Sequence, residues 1–363
     1  MNIVMFDDSV PFDGFTAATK PLGGAEKAFA ALAGALAKAG HTVTVVNRCK
    51  HALMAEGARW RPWDSTRPHD ADVLIALRNP ELLGGVRRVD SRVLWVPGDP
   101  KYLGNAHNAD LLASYAPRLL FLTERQAEAY GGRLSAVVAS PGVTKPFFPE
   151  KKGADPYPDA NHPAIQLDET EKSDEPEELP PPHAIVTTHP LHGLTNVLEL
   201  WRDKIHPAKA DAKLTVYSAV LAKGIAGEDV PDPIKPVLEL VKACTAANVE
   251  VSAPKGDRIM AEAYRRSRVH LYPGHPRDFA CWTLRDSQSA GLPAVARNLG
   301  GVEDVVDNGQ TGFIVPDDEA FANVALQLLT DDGVYTSFND AASAIERRKT
   351  WASAADIVTQ LWL

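Results

Sequence analysis

The 363-residue chain carries little cysteine: Cys49, Cys244 and Cys281 are its three thiols. Odd in number and far apart, they build no disulfide framework and match no metal-ligand spacing, so a reducing compartment and no bound metal are expected. Basic charge is also short, with 38 Lys and Arg against 47 Asp and Glu and a formal net charge of −9. That balance argues against bulk nucleic-acid binding. No apolar run is long enough to cross a bilayer. The pairs Arg87-Arg88, Arg265-Arg266 and Arg347-Arg348 are short and dispersed, so no basic membrane-facing patch stands out, although peripheral membrane contact stays open. Met1-Asn-Ile-Val-Met-Phe lacks the basic start and long apolar core of a signal peptide, and a cytoplasmic location is expected. What is present is ordinary for a soluble protein of two domains, with 45% hydrophobic and 23% charged residues.

Short apolar runs alternate with helical patterns along the first 148 residues. Asn2–Phe6 reads as a strand, and Gly23-Gly24-Ala-Glu-Lys opens an alanine-rich helix that Gly40 stops as its C′ residue. His41-Thr-Val-Thr-Val-Val, Asp72-Val-Leu-Ile-Ala, Val93-Leu-Trp-Val, Leu119-Leu-Phe-Leu and Ala136-Val-Val-Ala continue as strands. Residues 149–182 form an acidic, Pro-rich linker or insert, poor in large apolar side chains. A second unit spans 183–339, with strands at Ala184-Ile-Val-Thr-Thr, Lys213-Leu-Thr-Val-Tyr, Asn248-Val-Glu-Val-Ser and Val269-His-Leu-Tyr. Residues 340–363 read as one helix that packs back on the first domain. The expected fold class is α/β, two doubly wound Rossmann-like domains facing across a cleft, with a ligand at the strand C-termini.

The densest chemistry lies in Asp278-Phe-Ala-Cys-Trp-Thr-Leu-Arg-Asp286-Ser-Gln-Ser-Ala-Gly291. Its two carboxylates are eight positions apart, close to two helical turns, so a continuous helix would put both near one face. Asp278 reads equally as the N-cap of a helix beginning just after it. Free N–H groups at that helix start suit an anion, and carboxylates suit sugar hydroxyls. Cys281 reads as a small buried side chain, and Trp95 and Trp282 as core.

With Gly23-Gly24-Ala25-Glu26, the Asp278/Asp286 pair, the Gly300-Gly301 turn and Gly309-Gln-Thr-Gly-Phe-Ile-Val315 in order, the chain resembles retaining GT-B glycosyltransferases of the family-4 type, the linker excepted. Asp278 and Asp286 stand where that family has a Glu-x7-Glu pair, with Cys281, Thr283 and Gly291 also in step. His192, before Gly193, stands where a basic residue beside the diphosphate is usual. Trp95-Val-Pro-Gly-Asp99-Pro100 matches a first-domain block without its histidine.

The resemblance implies transfer of a sugar from a nucleoside diphosphate sugar, UDP- or GDP-linked, to an acceptor hydroxyl, with retention and without a metal or other cofactor. It implies that Asp286 accepts from the ribose hydroxyls and that Asp278 contacts the transferred sugar. Gly23, Gly24, His192, Gly193, Phe279, Ala280, Cys281, Trp282, Thr283, Gly300 and Gly301 would line the donor side, and Asp99 and Arg78 the acceptor side. The acceptor is open: a saccharide, a lipid-linked saccharide or a small molecule. Bland readings stand beside these. Gly23-Gly24 fits a tight turn, Asp99 an ordinary Gly-Asp-Pro turn, and Glu303-Asp304 a helix cap. Arg48, Arg78 and Arg297 follow strands, where each suits a phosphate or an acidic partner. The alternative function is a catalytically degenerate relative that binds a nucleotide or glycan.

Overall fold

The computed structural model describes residues 1–149, 178–344, 347 and 349–362. Most of the expected acidic linker, 150–177, therefore lies outside the described residues. The N-terminal sheet contains β1 Asn2–Phe6, β2 Thr42–Asn47, β3 Leu53–Ala55, β4 Ala58–Pro62, β5 Asp70–Leu77, β6 Arg88–Trp95, β7 Arg118–Phe121 and β8 Ala136–Val138. Their order is β3-β4-β2-β1-β5-β6-β7-β8. All neighbours are parallel except the β3–β4 hairpin, which the sequence pattern had not suggested. Side chains of β1 alternate between two cores. Ile3 and Met5 pack with Phe29, Trp60 and Trp95, whereas Val4 and Phe6 pack with Leu74, Leu94 and Phe121. Burial on both faces explains why these strands read as continuous apolar runs.

The second sheet contains β9 His183–Val186, β10 Lys213–Tyr217, β11 Val249–Ser252, β12 Val269–Tyr272, β13 Ala294–Arg297 and β14 Gly312–Val315, all parallel. The order β11-β10-β9-β12-β13-β14 is the Rossmann order 3-2-1-4-5-6. It reverses between β9 and β12, so the loops leaving those two strands diverge and open a crevice. The N-terminal sheet reverses in the same way between β1 and β5. Two Rossmann-like domains are thus present, as the alternating pattern predicts. Among the described residues no helix is long and apolar enough to cross a membrane.

The C-terminal expectation needs correction. One helix over 340–363 is replaced by two, Asp332–Ser343 and Trp351–Thr359. The first stays with the second domain, where Asn339 Nδ2 donates to the Gly291 carbonyl at 2.7 Å. The second returns to the first domain, burying Ala354, Ala355 and Val358 and setting Trp351 edge-on to Trp95. Lys349 and Thr350, where the chain crosses back to the first domain, run beside Gly142 and Val143, where it first leaves that domain, and Val143 N donates to Lys349 O at 2.8 Å. A Cβ on Gly142 would overlap the Trp351 amide and the Thr350 carbonyl carbon, so only glycine lets the two crossings touch. Gly142→Ala should cost about 1–3 kcal/mol, as overpacking of a filled site does. Urea unfolding would show this as a lower midpoint.

Candidate functional site

Each domain contributes one half of the site. In the second domain, the loop after β9 carries His189, His192 and Gly193, and Gly193 takes a left-handed φ of 85°. There a Cβ would meet the Pro273 ring, so the β9 and β12 loops touch at this glycine. Their contact brings three histidines together. The His192 ring stacks on His275 at 3.9 Å, and His189 follows at 5.0 Å. Burial and the His275 charge hold His189 and His192 below the ordinary histidine range. His192 is therefore neutral at pH 7, able to donate one hydrogen bond but not to supply a full charge.

The β12 loop leads into the helix Trp282–Ser289. Asp278 precedes this helix by several residues, so the expected shared face with Asp286 does not form. Nor is Asp278 the N-cap: that residue is Cys281, in the left-handed region at φ 47°, with no side-chain cap. Asp278 instead braces the loop. Its Oδ2 accepts from the Tyr272 hydroxyl at 2.5 Å and its Oδ1 from the Cys281 amide at 3.0 Å. Gly300 and Gly301 lie beneath the same loop, where Cβ atoms would overlap the Asp278 and Phe279 carbonyls. They allow close backbone packing there. Cys281 is buried, and its thiol is pushed up to about 12 by burial, so it stays unreactive. The amides of Phe279 and Ala280 donate to no described protein group, which leaves them for an anion. Thr283 and Trp282 are half-buried in the first helical turn.

Asp286 is buried and reaches across to the first domain. Lys27 Nζ donates a short hydrogen bond to its Oδ2 and sits 3.2 Å from Asp257 Oδ1. Thr144 donates to the other Asp257 oxygen at 2.7 Å, and the ammonium lies 4.6 Å from the centre of the Phe147 ring. One ammonium thus serves two carboxylates. Burial would lower the Lys27 pKa, but Asp286 and Asp257 outweigh it and raise it. Asp286 is raised to about 6, by burial first and by the Asp257 charge in addition, with Lys27 compensating only partly. Asp286 Oδ1 takes no hydrogen bond among the described residues.

The glycine loop fits against this cluster. A Cβ on Gly24 would run into the Trp282 indole, so glycine there lets the helix Gly24–Lys38 approach the second domain. Gly23 is the N-cap of that helix, and Glu26 in its first turn pairs with Arg78 at 2.8 Å. Arg78 has a left-handed φ of 64°, and its carbonyl accepts from the Tyr102 hydroxyl at 2.6 Å. Beside this pair Asp7, 1% exposed, keeps an Oδ1 with no partner, and burial lifts its carboxyl to about 6. Asp99 caps a short 3-10 turn by accepting from the Lys101 amide, as the turn reading has it. Arg297 pairs with Asp318, and Arg48 donates to the Asp8 carbonyl. Glu303 does not cap a long helix. It pairs at 2.5 Å with Arg125 of the first domain, which also donates to the Gly300 carbonyl at 2.9 Å. Lys27, Asp257, Arg125, Asp7, Tyr272 and His275 are the members sequence reasoning missed. Lys27, Asp257 and Arg125 read as ordinary solvated residues until the two domains meet.

Comparison with known proteins bears on the fold and on the second domain. Residues 188–331 match the family described as glycosyl transferases group 1. The D-inositol 3-phosphate glycosyltransferase of Xylanimonas cellulosilytica is 32% identical over 128 residues, 34% of this chain and 30% of that protein. The aligned part thus spans under a third of that relative's length. Anabaena HepE, crystallised with UDP and glucose, superposes over 99% of both chains with a TM-score of 0.67 at 13% identity. The sucrose-phosphate synthase of Thermosynechococcus elongatus covers 100% of this chain and 98% of its own, with a TM-score of 0.66 at 14% identity.

The fold is GT-B. In its terms, the crevice lies between two Rossmann-like domains, and the Lys27 cluster closes it. Lys27→Met should leave two buried carboxylates facing each other, a loss of about 3–5 kcal/mol. A carboxyl raised above its unfolded value contributes stability at low pH that is lost as pH rises through the folded value. Lys27→Met should therefore recover stability between pH 7.5 and 5, much more than the wild type does. Urea midpoints at the two pH values read this directly.

Proposed function

We propose that the chain is a retaining, metal-independent glycosyltransferase. It moves a glycosyl group from a UDP- or GDP-linked sugar to a hydroxyl of a saccharide, lipid-linked or small-molecule acceptor. One observation carries the reading. At the β9/β12 reversal, where doubly wound sheets open a crevice, His192 stacks on His275 and the Phe279 and Ala280 amides donate to no described protein group, inside the stretch that matches the glycosyl transferase family. Such crevices take nucleotides in doubly wound sheets, and the HepE structure, alike in fold, holds UDP and glucose.

In this reading the diphosphate lies against those amides and the histidine stack. Preorganised N–H donors stabilise the charge that develops as the diphosphate leaves. The free Oδ1 of Asp286 accepts from a ribose hydroxyl while Oδ2 stays with Lys27. Asp278 acts through the loop it braces and fixes where the Phe279 and Ala280 amides point. On the other side of the crevice, Arg78, Asp7 and the Asp99 turn face the acceptor. Asp7 Oδ1, partnerless and buried, suits an acceptor hydroxyl. The departing diphosphate takes the acceptor proton. Domain closure excludes water and so limits hydrolysis.

A second reading, a nucleotide-binding relative without turnover, is favoured by the Asp278 carboxylate, each of whose oxygens already accepts a hydrogen bond within the protein. Release of free UDP or GDP from a sugar nucleotide, with an acceptor panel present, separates the two. Transfer with a retained anomer, read by NMR of the product, supports the first, and an inverted anomer contradicts it.

Diphosphate binding favours protonated His192 and His189, which the free protein holds neutral. UDP affinity measured by calorimetry should thus rise as pH falls from 8 to 5.5. His192→Ala should weaken UDP binding about tenfold at pH 6, the worth of one charge-assisted hydrogen bond, and should flatten the pH slope.

A further inference from the structure

Outside the crevice, a cavity of about 320 Å³ lies where the two crossings between domains run side by side. Its inner wall is the helix Trp282–Ser289. Arg285, Gln288 and Ser289 share one face of this helix, and Asp286 lies on another. Pro141, Val143, Arg347 and Lys349 also line the cavity, together with Asp304 and Asp307.

Two buried groups of this wall are unsatisfied. Arg285 is 5% exposed, and its Nε donates to the Ala280 carbonyl at 2.8 Å. Its Nη2 is buried with no partner, and no carboxylate among the described residues pairs with it. Gln288 is 6% exposed, and its Nε2 donates to the Leu292 and Thr311 carbonyls at 2.7 and 3.0 Å. Those two bonds fix the amide, so Oε1 is a positioned acceptor, and it too has no partner. A buried guanidinium without an anion is costly, and so is a buried unpaired carbonyl.

The charges around the cavity do not cancel. Arg347 is taken by Asp307. Lys349 makes no ion pair among the described residues, and burial and the Arg285 charge hold its ammonium below the ordinary range. Arg285 and Lys349 face Asp304 as the one unpaired carboxylate of the lining, a net positive site. Fixed donors, one fixed acceptor and excess positive charge match a group with several acceptor oxygens and one O–H beside them. The volume is at the lower end of the range for small-ligand pockets.

We propose that this cavity is a binding site for a small phosphorylated metabolite, separate from the crevice. The phosphate takes Arg285 and Lys349, and a hydroxyl, on the phosphate or on the carbon next to it, donates to Gln288 Oε1. The inference does not depend on the glycosyl-transfer reading. It accounts for two polar side chains on a helix face that packing alone would fill with apolar ones.

The test is thermal unfolding and calorimetry of the full chain with inorganic phosphate and with glycerol 3-phosphate, at ionic strength matched with sodium chloride. At about a hundred times its dissociation constant, a ligand adds roughly 2.7 kcal/mol, a midpoint rise of a few degrees. The wild type and His192→Ala should both show that rise, and Arg285→Met should lose it. Lys349→Gln, at an exposed position where the change is harmless to packing, should bind about tenfold more weakly. Arg285→Met without ligand should be no less stable than the wild type, because it removes an uncompensated buried charge. No phosphate-specific rise in the wild type overturns the proposal. So does a rise that Arg285→Met keeps, or one that His192→Ala abolishes. Should Arg285→Met fail to fold, Lys349→Gln decides alone, and wild-type affinity in that variant overturns the site.

Discussion

The Lys27 ammonium is the constraint on which the arrangement depends. It comes from the first domain and is buried between Asp286 and Asp257 of the second. Desolvating three charges is expensive, and one ammonium between two carboxylates leaves a surplus negative charge. Such a cluster is tolerable only where its geometry is fixed. The surroundings fix it: Thr144 holds the far oxygen of Asp257, Phe147 covers the ammonium, and Gly24 lets the two helices approach. Arg125, reaching Glu303 and the Gly300 carbonyl, is a second clasp at a distance from the first. Charged contacts of this kind specify one closed arrangement more than they stabilise it.

The same cluster decides what the crevice offers. Asp286, the carboxylate the sequence offers to ribose, has one oxygen engaged and the other open. Opening the domains would free both. Donor capture and domain closure therefore compete for, or share, one side chain. Burial first, and the Asp257 charge in addition, hold Asp286 near 6, so the cluster can take up a proton under mildly acidic conditions.

Much of the fold was legible. The alternation of a few apolar runs, such as Asn2–Phe6 and Val269–Tyr272, with helical patterns already implies parallel sheets, because strands buried on both faces have no polar period. The helix from Gly24 and its stop at Gly40 followed from end chemistry. The β3–β4 hairpin was not legible, since its Glu56-Gly57 turn joins strands with little apolar pattern. The separate helix beginning at Trp351 was also missed, because the bridge of Val143 to Thr350 just before it is a tertiary contact with no local signal. In the site, spacing suggested a shared helical face for Asp278 and Asp286. The left-handed Cys281 breaks that face, and no local signal marked it. Lys27 was invisible for another reason. On a surface-pattern helix a lysine after a glutamate reads as solvated, and only contact between residues 259 positions apart gives it a partner. The Ser287-Gln288 pair puts polar side chains into the buried part of its helix. Their roles are split, with Ser287 bonded to buried His270 and Gln288 facing the cavity beside Arg285.

The central claim is that Lys27 holds the two domains together. Small-angle X-ray scattering on the wild type and Lys27→Met at pH 7.5 tests it most directly, with circular dichroism to confirm that both proteins are folded. The account predicts a larger radius of gyration for the variant at pH 7.5, returning toward the wild-type value at pH 5 as one carboxylate takes a proton. Superimposable scattering from two folded proteins at pH 7.5 would contradict it.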